Sequence, residues 1–396
     1  MTTYRATLKL HTAFGTPLAG DTLFGQLCWT AREHLGEAEL ERLLKGYTSD
    51  NPWLVVSDGF PSGYLPKPNV PASLVSANFV GANSFAHEKR AIATVLAGIS
   101  PSGESSQIAP TNQTQQRKAE KAKRWIPLSE IGKSLSEMLA AAVNDKEAFA
   151  NGKPVEAPQP HNTLNRLTGT TGEGEFAPYT QPQIFFARDQ RVDLYCVLDE
   201  TRISLKTFKT LLEAIGSHGF GRDASIGLGK FTVETICANE FAPTKTVRPP
   251  VGANSFAQEN TAIVGATDSH NAIENRSNTT ILPGLSPSGE SSQFEPTAYL
   301  TLAPCAPQGL GFDGDKSYWR VITRFGRHGN LHGLSSKPFK NPVLLAATAA
   351  VFVPQDAYTP SQFIGQGLGG DGQLSEIEPA TVQQGYAPVV GIRMEV

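Results

Sequence analysis

Hydrophobic and polar residues alternate at the start of the chain. Tyr4, Ala6, Leu8 and Leu10 fall on one side, and Arg5, Thr7, Lys9 and His11 fall on the other. This period of two predicts a half-buried strand that keeps one polar face. The period then lengthens: Leu23, Phe24, Leu27, Cys28, Ala31 and Leu35 recur at helical spacing. Asp21, a good N-cap type, and Gly36, suited to a left-handed end, predict where that helix opens and stops. A second helix is expected from Ser204, with Leu205, Phe208, Leu211, Leu212 and Ile215 inward and Lys206 and Lys209 outward. The glycine-rich run Gly219-Phe-Gly-Arg-Asp-Ala-Ser-Ile-Gly-Leu-Gly229 follows, and 230–237 alternates as another strand. Strand, helix, strands, helix, glycine loop and strand make a ferredoxin-like plan, the split βαβ arrangement shared by RNA-recognition (RRM-like) modules. The expected class is α+β, with further strands near 299–303, 319–324, 343–353 and 387–396.

Length bears on domain count. The 396 residues exceed the usual single-domain range, so two units are expected. A hydrophobic fraction of 39% with 18% charged residues is ordinary for a globular protein, and no apolar run approaches the roughly 20 residues of a membrane helix. The alternating N-terminus lacks the continuous apolar core of a signal peptide, which makes a cytoplasmic location the expectation and a membrane an unexpected partner. Cys28, Cys196, Cys237 and Cys305 are widely spaced, so they read as buried structural thiols rather than a disulfide framework or a zinc site.

Two words recur almost unchanged. Val80-Gly-Ala-Asn-Ser-Phe-Ala86 returns as Val251-Gly-Ala-Asn-Ser-Phe-Ala257, and Ser100-Pro-Ser-Gly-Glu-Ser-Ser-Gln107 returns as Ser286-Pro-Ser-Gly-Glu-Ser-Ser-Gln293. Their spacers are unequal, which argues against a solenoid. Their polar, glycine- and proline-containing composition fits two copies of one inserted loop element, at 80–110 and 251–296, and long surface loops cost little closure entropy. A functional duplicated motif is the other reading.

The formal net charge of −3 excludes a polycation that coats nucleic acid through phosphate charge alone. RNA contact would have to be local. The clearest basic stretch, Arg117, Lys118, Lys121, Lys123 and Arg124, interrupted by Glu120, reads as a solvated helix face running into Trp125, or as a contact for RNA or a partner. The run 219–229 offers backbone conformations with positive φ and close approach of amides to a phosphate, with Arg222 as a further phosphate ligand. A glycine-rich bulge of purely structural purpose is equally compatible. It is no Walker A loop, because Gly229-Lys230 precedes Phe231 and the glycine five positions earlier is missing. It is no dinucleotide fingerprint either, because Ala224 takes the third glycine's place. No cofactor is expected.

Candidate acid–base residues are His11, Asp21, His161 and His218, but none pairs with a second group in sequence. Asp21 already has a use as a helix cap. His328 and His332 are four apart, with Gly329 and Asn330 between them working against a helix that would align both on a metal. Neither catalytic nor metal residues are assigned.

Gly219-Phe-Gly-Arg-Asp-Ala-Ser-Ile-Gly-Leu-Gly-Lys-Phe231 resembles the glycine-rich loop of the repeat-associated "mysterious" protein (RAMP) superfamily, the RNA-binding subunits of CRISPR systems. Phe14-Gly-Thr-Pro-Leu-Ala-Gly-Asp-Thr-Leu-Phe-Gly-Gln-Leu-Cys-Trp29, Asn162-Thr-Leu-Asn-Arg-Leu-Thr-Gly-Thr-Thr-Gly-Glu-Gly174 and Gln384-Gly-Tyr-Ala-Pro-Val389 are similar to one member group, the Cas five-like subunit at the guide 5′ end of type III-A complexes. Tyr64-Leu-Pro-Lys-Pro68, Trp125-Ile-Pro-Leu128 and Thr323-Arg-Phe-Gly-Arg-His-Gly329 are similar to it too. The likeness covers the chain in order apart from the two insertions.

This resemblance implies two ferredoxin-like units, at 1–245 and 297–396, with 246–296 as insertion or linker. It also implies an RNA-covering hairpin at about 162–186 that displaces a base. Guide-RNA contact is implied at Lys67, Arg166, Thr168, Gly169, Thr170, Thr171 and Gly172, and in the loop at Gly219, Phe220, Gly221, Arg222, Ser225, Gly227 and Gly229. The implied role is non-catalytic: binding the repeat-derived 5′ handle and bridging the large polymerase-palm subunit to the repeating backbone subunit. The alternatives are a guide-RNA-processing endoribonuclease of the same superfamily and a scaffold that touches no RNA.

Deleting 82–109 together with 253–295 is expected to leave folding and RNA binding intact, because these segments have little apolar area to bury. Loss of the cooperative thermal transition after either deletion would place the repeated element in the core.

Overall fold

In the computed structural model the described residues are 1–71, 74, 118–238, 295–307, 309, 311–329, 333 and 337–394. The repeated insertions, Arg117 and His332 lie outside them. The opening strand Thr2–Leu10 is the axis of the first sheet. It pairs antiparallel with Arg191–Leu198 on one side and with Phe231–Ala238 on the other, where the register shifts between Thr7 and Leu8. Leu54–Val56 and Phe60–Pro61 both pair with Arg191–Leu198. The spatial order is therefore last, first, third, second, with helices Gly20–Leu35 and Leu205–His218 as the two connections. Ala6 and Leu8 are fully buried with Leu23, Leu27, Phe208 and Leu212 from these helices. Each such leucine contributes roughly 2 kcal/mol of apolar burial.

Arg191–Leu198 is buried along nearly all its length, because its other face is covered as well. Tyr195 packs with Phe60, Leu302 and Val390. Its one buried carboxylate, Asp193, accepts from Thr7 Oγ1 at 2.7 Å, Ser62 Oγ at 3.0 Å and the Gly63 amide at 3.0 Å, so the charge is not left bare.

A second antiparallel sheet has the order Val351–Phe352, Ala298–Thr301, Tyr386–Ile392, Phe363–Gly365. Among the described residues beyond 295 no α-helix accompanies it. Smaller pieces complete the fold. They are a three-stranded sheet of Tyr64–Pro66, Lys123–Pro127 and Val143–Asn144, a ribbon of Val321–Arg324 with Val343–Ala346, and a long hairpin of Val155–His161 with Tyr179–Phe185.

Several local expectations are corrected. The expected strand at 343–353 is two strands in two sheets, because Ala349 turns the chain with a φ of +69° and its amide binds Thr301 O at 2.9 Å. The hairpin's first strand begins at Val155, before the expected 162, and 162–178 form its end loop. Lys123 and Arg124 stand on a strand rather than on a helix, held there by the Trp125 pairing with Pro66. Cys237 is exposed, although Cys196 and Cys305 are buried with thiols pushed up to about 12 by desolvation.

Asp21 is not the helix cap. The helix begins at Gly20 and Ala19 supplies no side-chain cap. Instead the Asp21 carboxylate, 6% exposed, receives Nε of Arg324 at 2.6 Å and also its Nη2. That partner is 303 positions away, out of reach of any local pattern. Neighbouring contacts join the same parts of the chain. Asp58 accepts from the Gly20 amide at 2.8 Å and from Thr348 Oγ1; burial pushes its carboxyl up to about 6, against the lowering by those two donors. Gln384 places its side-chain amide against Val56, accepting from its N–H at 2.9 Å and donating to its C=O at 2.8 Å. Tyr386 donates to Tyr47 O at 2.7 Å.

Arg324→Met is expected to cost about 3 kcal/mol, since it strands a buried carboxylate. Asp21→Asn combined with Arg324→Met should cost less than the sum of the single changes. Urea unfolding of the four proteins measures both, and strict additivity would mean that the pair does not couple the halves.

Candidate nucleic-acid interface

The helix Leu205–His218 stops because Gly219 turns to a φ of +111° while its amide still binds Ile215 O at 2.7 Å. The loop that follows is built against the segment between the opening strand and the first helix. Gly229 donates to Ala13 O at 2.8 Å, Arg222 N to Thr16 Oγ1 at 3.0 Å, and Lys230 N to Thr12 Oγ1 at 2.9 Å. From the first helix, Gln26 donates to Gly219 O at 2.8 Å and accepts from Gly221 N at 3.2 Å. Sequence reading missed Thr12, Thr16 and Gln26 as loop builders. For Thr16 and Gln26 the only signal was a polar side chain inside the stretch 14–29; for Thr12, which lies before it, there was none.

The glycines have a different reason from the one expected. A Cβ on Gly219 would lie 2.3 Å from Leu228 O, and one on Gly229 would lie 2.2 Å from Phe220 O. The space is already filled by this protein's own backbone, so no ligand is needed to explain these two residues. Gly227 differs, with open space where its Cβ would stand. Phe220 is fully buried in the main core, where it anchors the loop and offers no face to RNA. The loop amides are mostly consumed: those of 219–222 and 226–229 bind partners within the protein. No hydrogen bond among the described residues uses the amides of Asp223, Ala224 or Ser225. The free part of the loop is therefore its apex, with these three amides, the exposed Ser225 and Ile226, which is 64% exposed.

Arg222 has a partner within the protein. Its Nη2 donates to Pro182 O in the hairpin, and its Nε lies 3.3 Å from the Asp223 carboxylate. The guanidinium is therefore a tie between loop and hairpin. The hairpin root is fixed a second time, where Phe14 and Ile184 exchange backbone hydrogen bonds of 2.9 and 2.8 Å.

From that root the two strands run in register from Val155 opposite Phe185 to His161 opposite Tyr179, with Pro158 opposite Pro182. The His161 and Tyr179 rings stack, centroids 5.2 Å apart at 11°. The end loop has order of its own. Asn165 receives Gly169 N on its carbonyl at 2.8 Å and Leu167 N on Oδ1 at 2.9 Å, and it donates to Thr170 O at 3.0 Å. The Thr168 and Thr170 hydroxyls are 3.0 Å apart, and Gly172 N binds Phe176 O at 3.1 Å. This holds Leu167 out at 97% exposure beside the exposed Arg166, with Thr171 and Gly172 exposed as well.

The expected site residues thus fall in three places. Loop and hairpin are joined through Arg222. Lys67 stands on the three-stranded sheet, its amide on Arg124 O at 2.8 Å; burial lowers its ammonium, while Glu120 and Lys123 act on it in opposite senses. The acid–base candidates are placed apart. His11 Nε2 is 2.9 Å from Thr232 Oγ1, His218 Nδ1 is 2.8 Å from Ala214 O, and His161 stacks on Tyr179 in the hairpin; His328, weighed as a metal ligand, is buried against Ser375. Among the described residues no three His, Cys, Asp or Glu side chains gather as a metal site, and no helix is long and apolar enough to cross a membrane.

Arg222→Ala is expected to raise amide hydrogen exchange across 155–185 several-fold while the Thr2–Leu10 strand stays protected. Arg222→Lys should rescue it only in part, because an ammonium lacks the planar fork. Unchanged exchange in both would mean that the Phe14–Ile184 bridge alone holds the hairpin.

No family model and no curated protein matches the chain. Solved structures do. One similar chain belongs to the crystal structure of a Csm1-Csm4 cassette in complex with pppApA, at 14% identity over 99% of each chain and a TM-score of 0.46. Another belongs to that cassette in complex with cA4, at 14% identity over 100% of this chain and 99% of that one, TM-score 0.46. A third belongs to the Csm3-Csm4 subcomplex of the type III-A CRISPR-Cas interference complex, at 11% identity over 99% of this chain and 100% of that one, TM-score 0.45.

Proposed function

We propose that this chain is a non-catalytic RNA-binding subunit of a type III-A CRISPR effector complex. In this reading it holds the repeat-derived 5′ handle of the guide RNA and bridges the large palm-domain subunit to the repeating backbone subunit. The observation that carries the reading is the joining of glycine loop, segment 12–16 and hairpin root into one rigid piece with two exposed ends. One end is the apex 223–226, with three unused amides and a serine hydroxyl suited to a phosphate. The other is the tip 164–172, where Leu167 and Arg166 stand ready to part and contact bases.

Two ferredoxin-like units at 1–245 and 297–396 belong to the same proposal, the second having kept its strands while the first carries the helices. The absence of catalysis rests on the surroundings of the four candidates. Asp21 is committed to Arg324, His11 and His218 face a threonine hydroxyl and a helix carbonyl, and the His161 ring stacks on Tyr179 with no acid or base among the described residues bonded to it. Lys67 contributes charge from its own sheet.

Fluorescence anisotropy with a labelled handle RNA and the full chain tests this. Arg166→Ala with Leu167→Ala should weaken binding about tenfold, or roughly 1.4 kcal/mol, without moving the thermal midpoint, since both side chains are exposed. Unchanged affinity would remove the tip from the site. Cleavage of repeat RNA by the purified chain, abolished by His11→Ala, would replace the binder by a nuclease.

A further inference from the structure

The basic sheet around Lys67 is not used by the loop and hairpin, and it leads into a cavity. After Lys67 the chain passes Asn69, whose amide binds Ala349 O at 2.8 Å and whose Nδ2 binds Thr348 O at 3.0 Å. Asn69, Val70 and Pro71 then form one wall of an open cavity of about 440 Å³; Ser317, Tyr318, Trp319 and Arg320 form the other. Trp319 is 42% exposed, and its ring is backed by Phe352 with centroids 5.6 Å apart at 24°. An indole held from one side in this way is a stiff stacking platform. Arg320 is exposed and makes no ion pair among the described residues. Among the described residues no acidic side chain lines the cavity.

Charge decides between possible occupants. Lys67 precedes Asn69 by two residues, and its amide binds Arg124 O at 2.8 Å, which sets it beside the Lys123–Pro127 strand. On that strand Lys123 is partly compensated by Glu120 at 2.8 Å and Arg124 by Asp145 at 3.5 Å. Among the described residues Lys67 makes no ion pair, and the path ends at Arg320, equally without one, beside an exposed indole. That combination suits a polyanion with flat rings. The volume accommodates a nucleotide and is small for a protein element.

We infer that this cavity takes one nucleotide of a single-stranded RNA, with its base on Trp319, its phosphate on Arg320, and the neighbouring phosphates along Lys67 and the Lys123–Pro127 strand. This site is separate from the loop and hairpin, shares only Lys67 with the handle-binding reading, and does not depend on the handle being bound there.

The test uses the full chain and a fluorescein-labelled uridine decamer, with a duplex of equal length as control. Trp319→Ala should weaken decamer binding about tenfold, and Trp319→Phe should weaken it much less. Because Trp319 also packs on Phe352, Arg320→Glu provides a variant at an exposed position and should weaken binding by at least as much. A decamer carrying 4-thiouridine should crosslink to residues 317–320 or 69–71. Three results would overturn the inference: no decamer binding by the full chain, binding that survives both Trp319→Ala and Arg320→Glu, or crosslinks confined to the glycine loop and hairpin. Preserved handle binding in Arg166→Ala/Leu167→Ala alongside lost decamer binding in Arg320→Glu would retain this site while removing the hairpin tip.

Discussion

The architecture of the candidate interface depends on one steric fact, the near contact of two backbones at Gly15 and Arg222. A Cβ on Gly15 would stand 2.5 Å from Arg222 O, and one on Gly221 would stand 2.8 Å from Thr16 Cβ. Because these stretches lie flush, the hydroxyls of Thr12 and Thr16 reach loop amides and the Arg222 side chain reaches the hairpin. A wider gap would break all of these at once. The elements come from three distant parts of the sequence, and the glycines let them share one small volume.

A second set of contacts makes a platform of the rest. Gln384 acts as a short substitute strand, giving Val56 both the acceptor and the donor that an edge would otherwise lack. Asp21 and Arg324 do the same work with charge. These contacts serve cohesion, while the exposed chemistry sits at 164–172 and 223–226.

What could be read from sequence follows the range of the forces involved. The opening strand, the helix from Ser204 and its stop at Gly219 were legible because periodicity and capping are local. Asp21 was misread because its partner is distant, and the cap rule found a plausible local use for it. Arg222 shows the same limit of range: a composition of glycines and one arginine suggests a phosphate cradle, and only the fold reveals that its Nη2 also reaches Pro182 O in the hairpin. The strand at 343–353 failed on Ala349, whose positive φ no alanine-rich pattern announces.

The hairpin carries Pro158 and Pro160 on one strand and Pro182 on the other. Proline has no amide hydrogen to give, so each rim of this ribbon is interrupted as a template for a further strand. A long exposed ribbon bearing Val155, Tyr179 and Phe185 at its surface would ordinarily invite edge-to-edge stacking of many copies. These imino acids let the ribbon stay unpaired at high local concentration, and replacing them would trade solubility for self-assembly.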